Sequence, residues 1–358
     1  MSPEQPGRRR ITVLERFGTA IEGLRTQTSG MRMGNFVSAW MFLSCIALLT
    51  SAPSVGADSN KCGLTRYASL DLVLVGDSYL LVPVMIQGTR AYMALNMASP
   101  FSSVTENAVR DFSLPTRSIP YNVGVHAGKS QVRETATSTP FAVGGLQFKS
   151  AGFLVFPQFR FPANVADAPV VGVLGMDVFK QVDIELDAAH RKMNLFSQDH
   201  CPEQVVYWSA RYDAAPIRFG SLGEFYFPMV LDGKKLETTL ATSNAATTLR
   251  TDATRKLFNF DSHSTDVETE ADSSGNTNTH YRAMKLSGEG LDIINARITL
   301  IDPPTAGCHL SSHQGAASYD DCFGVHPLAL GQDVVSKLHF YIATKEKMLY
   351  FTPTNPSE

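Results

Sequence analysis

Several recognisable chemistries are missing from this chain. No G-x-S-x-G elbow occurs and no Ser, His, Asp order stands out, so a serine-hydrolase reading has no support. No phosphate-binding glycine loop or dinucleotide fingerprint follows a strand-like segment. No run of Lys and Arg interleaved with aromatics occurs, and the formal net charge is −3. Both facts argue against attraction to nucleic acid or to an anionic membrane surface. Charge is sparse altogether, at 18% of 358 residues against 44% hydrophobic. That is a globular balance, and the length allows one large domain or two moderate ones with a substantial core.

Long apolar runs are lacking too. Phe36 to Leu49 is apolar over 14 residues, whereas a membrane-spanning helix needs about 20. Arg32 precedes this run, and Val55-Gly56-Ala57 places small residues where a signal peptidase cuts. Residues 1–57 therefore read as a leader with a cleaved signal peptide, the alternative being an uncleaved anchor. Cys45 has no lipobox around it, and Met31 or Met33 offers a second start. Gly7-Arg8-Arg9-Arg10 resembles a twin-arginine signal but lies far from the apolar run. The expected location is periplasmic or secreted, with no stable membrane insertion after cleavage. Cleavage removes six Lys/Arg and three Asp/Glu, a net +3, and leaves −6.

Cysteine is scarce, and four remain after the leader: Cys62, Cys201, Cys308 and Cys322. An even count in an exported chain reads as two disulfides. Three pairings are possible. Cys62–Cys201 and Cys308–Cys322 are favoured, because each brackets one unit of the repeat described next.

What the chain does have is self-similarity. Shifted by 145 positions, Arg66–Arg110 lies on Arg211–Arg255 without a gap. Arg66-Tyr67 meets Arg211-Tyr212, Pro83 meets Pro228, Gly88 meets Gly233, and Leu95 meets Leu240. A second block follows in each copy. Val173-Leu174-Gly175-Met176-Asp177 aligns with Ala329-Leu330-Gly331-Gln332-Asp333, then Lys192–Phe196 with Lys347–Phe351. Each copy reads as short apolar strands, with hairpin turns at Gln87-Gly88 and Asp232-Gly233. Thr105 to Phe112 and Arg250 to Leu257 read as helices capped by Thr105 or Thr251, and Asp177 and Asp333 as caps of two further short helices. Asp183 and Asp187 read as solvated turn residues. Polar stretches separate the blocks, at Asn122–Thr139 and Asp261–His280, and the second is expected to be a mobile loop. The domains are expected at 62–200 and 201–358.

This ordered pair of blocks resembles the pepsin/retropepsin-like aspartic protease superfamily in its two-lobed bacterial form. In that family each lobe has a strand, an Asp-Thr-Gly loop and a helix, and later an apolar-apolar-Gly element crossing beneath the loop. Val173-Leu174-Gly175 and Ala329-Leu330-Gly331 match that element. The resemblance spans roughly Tyr67 to Thr352. It implies an all-β, two-lobed, pepsin-like β-barrel duplication with short helices. The Asp-Thr-Gly positions fall on Asn96-Met97-Ala98 and Ala241-Thr242-Ser243, so both motifs are degenerate.

Aspartic proteases hold two carboxylates so close that they share a proton. Asn96 can orient a water but cannot take its proton, and Ala241 can do neither. The chain therefore reads as an exported, catalytically inactive homologue. Its expected ligand is an extended peptide or protein segment in an interlobe cleft, with Asn96, Ser99, Thr242, Ser243 and Asn244 as contacts. The rival reading is an active aspartic-type endopeptidase using Asp177 and Asp333. A third is a structural or assembly protein whose cleft is filled by its own Asp261–His280 segment. Cys308, His309, His313, Cys322 and His326 have a spacing that could hold zinc. A disulfide-closed loop is the preferred account of them, and neither metal nor cofactor is expected. Phe153, Phe156, Phe159 and Phe161 read as a core strand running into a surface loop, with a ligand groove as the alternative.

Overall fold

Alternation decides the strands. In Phe225–Leu231, Phe225, Phe227, Met229 and Leu231 are buried while Tyr226, Pro228 and Val230 are half-buried. This is the period of two expected of a pleated strand. Its counterpart Tyr79–Ile86 is buried on both faces at most positions, because Leu81 faces a separate small cluster with Tyr92, Ala94, Ala168 and Val170. Each strand turns back through two residues with positive φ, Gln87-Gly88 and Asp232-Gly233. Such pairs match the right-handed twist of a hairpin. The returning strands are Thr89–Leu95 and Lys234–Leu240.

The computed structural model describes residues 63–354, except 77, 120–124, 128–129, 158–160, 167, 221, 261–263, 266, 272–276, 289 and 303–325. The fold is all-β. An 11-stranded sheet takes up most of the first half and an 8-stranded sheet most of the second. A 6-stranded sheet joins them, ordered Arg66–Asp71, Lys192–Phe196, Asp183–Asp187, Leu338–Ala343, Met348–Pro353 and Asp213–Pro216. Its two central strands come from different halves and pair antiparallel, Ile184 opposite Ile342 and Leu186 opposite Phe340. One continuous apolar cluster runs through both halves, from Ala68 and Leu95 to Leu330 and Phe351. A third cluster, with Phe196, Val205, Tyr341, Ala343 and Tyr350, covers the other face of the joining sheet.

Several expectations need correction. The polar segment Asp261–His280 is not all loop: after a bend and turn at Ser264 and Thr265 it enters a ladder. Val267–Ala271 pairs with Thr277–Gly288, Glu268 opposite His280 and Glu270 opposite Asn278. Its exposed acids find cations on neighbouring strands: Glu268 meets Arg282 at 3.2 Å and Glu270 meets Arg297. Cross-strand pairs of this kind support a ladder that buries little apolar surface. Thr105 caps Glu106–Asp111, its hydroxyl accepting the Ala108 N–H at 3.0 Å. Thr251 is not a cap. Arg250 occupies the cap position of Thr251–Phe258, and the Thr251 hydroxyl donates instead to Asp302 at 2.9 Å.

The leader, Cys62, Cys308 and Cys322 lie outside the described residues. Cys201 is disulfide-bonded, and its partner lies outside them as well. Among the described residues no helix is long and apolar enough to cross a membrane.

Ile184 and Leu186 are fully buried at the seam between the halves. Ile184→Ala or Leu186→Ala is expected to cost about 2–5 kcal/mol through lost burial and the cavity left behind. Because the core is continuous, urea unfolding followed by circular dichroism is expected to shift as one transition, without splitting into two.

Candidate functional site

Parallel strands bring two loops to comparable positions. Thr89–Leu95 runs beside Ala168–Leu174, and Lys234–Leu240 beside Leu328–Leu330. Each pair ends in the same bonds. Asn96 N–H donates to Leu174 O at 3.0 Å, Ser99 N–H to Asn96 O at 3.1 Å, and Met176 N–H to Ser99 O at 2.9 Å. In the second half Ala241 N–H donates to Leu330 O at 2.8 Å, Asn244 N–H to Ala241 O at 3.0 Å, and Gln332 N–H to Asn244 O at 2.8 Å. The backbones approach so closely that only glycine fits beneath each loop. A Cβ on Gly175 would lie 2.5 Å from the Phe101 carbonyl carbon, and one on Gly331 2.3 Å from that of Ala246.

Asp177 and Asp333 belong to this scaffold. Ser102 Oγ accepts the Gly175 N–H at 2.9 Å and donates to Asp177 Oδ1 at 2.7 Å. Thr247 Oγ1 accepts the Gly331 N–H at 3.1 Å and donates to Asp333 Oδ1 at 2.8 Å. The helix caps are Gly175 and Gly331, with no side-chain cap bond. The two aspartates therefore anchor hydroxyls, where the sequence reading made them caps. Burial pushes the Asp177 carboxyl above its ordinary value, against the Ser102 bond that lowers it. Among the described residues neither carboxylate bonds to the other.

The two loops touch through one side chain. The Thr242 hydroxyl accepts the Met97 N–H at 3.1 Å and donates to Leu95 O at 2.8 Å. Thr242 is fully buried and its hydroxyl is spent on these bonds, so it positions the opposite loop and offers a ligand nothing. Its carbonyl accepts from Gln332 Nε2 at 2.6 Å. Met97 and Ala241 are also buried. What the loops present to solvent is half-buried Asn96, Ala98, Ser99 and Ser243, with exposed Asn244 and Ala245. Ser99 Oγ donates to Phe101 O at 2.8 Å.

Asn96 Oδ1 accepts the Ala98 N–H at 3.1 Å, which assigns the carboxamide: Nδ2 is the end without a partner among the described residues. The loop junction carries a hydrogen-bond donor and a methyl group, and no ionisable side chain. It can orient an acceptor but cannot move a proton. Compared with known proteins, the chain matches no family model and no curated sequence. Any family assignment therefore rests on the paired loops and on the bonds that shape them.

The remaining candidates separate from this site. Phe153 is buried in the strand Ala151–Phe156, Phe161 packs edge-on against Tyr79 at 5.8 Å, and Phe159 lies outside the described residues. Of the zinc-spaced residues only His326 is described. Burial, with Arg250 nearby, pushes its imidazole down to about 4. Among the described residues no group of His, Cys, Asp and Glu could hold a metal ion. An apolar slot of about 20 Å³ lies between Phe227, Met229, Leu240, Leu330, Phe340 and Phe351. That is room for about one water molecule.

The sequence reading misplaced another polar group. Asp183 is fully buried, as are Glu185 and the His200 side chain. Asp183 accepts from His200 Nε2 at 2.6 Å, Thr344 N–H at 2.8 Å and Tyr341 Oη at 3.2 Å. Glu185 accepts from Tyr207 Oη at 2.6 Å and Asn194 Nδ2 at 3.1 Å, and meets His339 Nε2 at 2.8 Å. Asp187 pairs with His190 at 2.7 Å. The closing strand read at Asp183 to Leu186 is observed as Asp183–Asp187, at the seam, but Asp183 and Asp187 are bonded on it rather than being solvated turn residues. The alternation Asp183-Ile184-Glu185-Leu186-Asp187 puts all three on one face, and that signal was available.

Thr242→Val removes both bonds between the loops and leaves the Met97 N–H and Leu95 O unpaired. Thermal or urea unfolding is expected to show a loss of about 1–3 kcal/mol. Thr242→Ser keeps the hydroxyl and is expected to recover most of it.

Proposed function

We propose that this protein is a catalytically inactive, two-lobed relative of the pepsin-like proteases that binds an extended peptide or protein segment between its halves after export. The observation that carries the reading is the contact of two matching loops through Thr242, with a carboxamide and a methyl group at the acid positions. The paired bonds at Asn96 and Ala241, and the glycines beneath them, support a shared loop architecture. Peptide hydrolysis by such an architecture needs one carboxylate to take a proton from water while its partner donates one. Neither position supplies an acid.

Binding does not need that dyad. An extended peptide is recognised by main-chain hydrogen bonds, with side-chain pockets adding specificity. Asn96 Nδ2, without a partner among the described residues, suits a backbone carbonyl, an acceptor that an aspartate there would repel at neutral pH. Ser99, Ser243 and Asn244 border the same surface. The disulfide at Cys201 is consistent with an oxidising compartment.

The rival reading keeps peptidase activity and moves it to Asp177 and Asp333. The Ser102 and Thr247 hydroxyls occupy those carboxylates within their own halves, which favours the scaffold role. The test is incubation of purified protein with an unstructured protein substrate from pH 3 to 7, with and without a transition-state analogue inhibitor. No cleavage is expected. Inhibitor-sensitive cleavage that disappears in Asp177→Asn or Asp333→Asn would overturn the proposal. For binding, a random decapeptide library is presented to the wild type and the bound peptides are recovered. Asn96→Asp is expected to weaken those peptides about tenfold, a change of about 1.4 kcal/mol. Unchanged affinity would remove Asn96 from the binding surface.

A further inference from the structure

The segment between the last strand of the first half, Lys192–Phe196, and the first of the second, Asp213–Pro216, crosses the outer face of the joining sheet. Polar groups hold much of it there. Gln198 Nε2 donates to Lys180 O at 3.1 Å and Glu203 N–H to Glu346 Oε1 at 3.2 Å. Trp208 Nε1 donates to Thr352 Oγ1 at 3.0 Å, and its ring stacks on His339 at 3.9 Å. Among these contacts the His200–Asp183 pair is the most deeply buried, with 4% and 0% side-chain exposure.

The geometry sets the protonation of His200. Nδ1 lies 3.0 Å from Cys201 O and Nε2 lies 2.6 Å from Asp183 Oδ2. A carbonyl and an ionised carboxylate only accept, so both contacts are satisfied together only when both ring nitrogens carry hydrogen, the imidazolium form. A neutral imidazole has one N–H and would leave one of these buried acceptors facing a lone pair. Tyr341 packs its ring edge at 6.1 Å and gives its hydroxyl to the same carboxylate. Glu346, from the turn after Leu338–Ala343, adds negative charge nearby. Lys345, in the same turn, is exposed and paired with Asp199 at 3.2 Å.

We propose that the His200–Asp183 pair latches residues 198–212 to the joining sheet, and that loss of the His200 proton releases them. The segment is then held tightly in acid and loosens as pH rises through the folded-state value of His200. The imidazole's position agrees: burial lowers it, but the Asp183 bond, the Cys201 carbonyl and Glu346 together raise it above the ordinary 6.5. A raised histidine contributes stability that is complete below its unfolded value and is lost as pH rises through the folded one.

The full-length, disulfide-intact protein is followed by hydrogen exchange from pH 5 to 9, with protection in residues 198–212 taken relative to the unstructured rate. Expected is constant protection below the ordinary imidazole value, a fall of at most about tenfold per pH unit between that value and the raised one, and a lower plateau above it. His200→Gln keeps a donor toward Asp183 without titrating, and its protection is expected to stay flat. Flat wild-type protection, or the same fall in His200→Gln, overturns the proposal. Should His200→Gln not fold, the ring ¹⁵N shifts of wild-type His200 decide. A ring midpoint at the upper end of the fall in protection supports the latch, and a ring that titrates outside that window rejects it.

Discussion

The antiparallel ladder between Asp183–Asp187 and Leu338–Ala343 is the joint on which the rest of the arrangement depends. Its inner face, with Ile184, Leu186, Phe340 and Ile342, enters the core shared by both halves. Its outer face carries Asp183, Glu185, Asp187 and His339, together with Tyr341 and Ala343. A slip of one residue would turn those acids into the core and the apolar side chains outward. The register is therefore strongly set, and the two halves meet in one relation. That relation brings the Thr242 hydroxyl within bonding distance of Leu95 and Met97 in the other half.

Apart from the Ala98 N–H donated to Asn96 Oδ1, a bond that an aspartate could accept equally, the loops at the junction keep their shape through bonds that do not involve the side chains at positions 96 and 241. Backbone groups, the Ser102 and Thr247 hydroxyls, and the close approach at Gly175 and Gly331 do the shaping. Nothing in the scaffold asks for an acid at either position. Removing a carboxylate there also removes the cost of crowding two like charges at short range. Architecture and side-chain chemistry are separable at this site: the backbone bonds of both loops form with a carboxamide at position 96 and a methyl group at 241.

Much of this was legible in the sequence. The apolar runs, the Gly88 and Gly233 turns and the two aligned blocks pointed to strands and hairpins close to those observed. These signals are local, set by alternation and turn chemistry. The acids were harder to place. Asp183, Glu185 and Asp187 occupy one face of a strand, yet whether that face meets water depends on the segment that crosses it, which no local pattern specifies. Asp177 and Asp333 looked like caps because each opens a helix. Their actual partners, Ser102 and Thr247, lie 75 and 86 positions away. The polar ladder at Val267–Ala271 was missed for the converse reason. Its support comes from ion pairs with neighbouring strands and not from buried surface.

Both bonds at the loop contact are made by one hydroxyl, on the second half alone. Met97, opposite, contributes only backbone. The two halves consequently differ in how freely they can vary. Position 242 needs a hydroxyl that both gives and receives, whereas position 97 needs only its N–H and an apolar side chain that fills the same buried volume. Descent with modification in a chain built this way is lopsided: the first loop can be rewritten while the second stays the keeper of the interface.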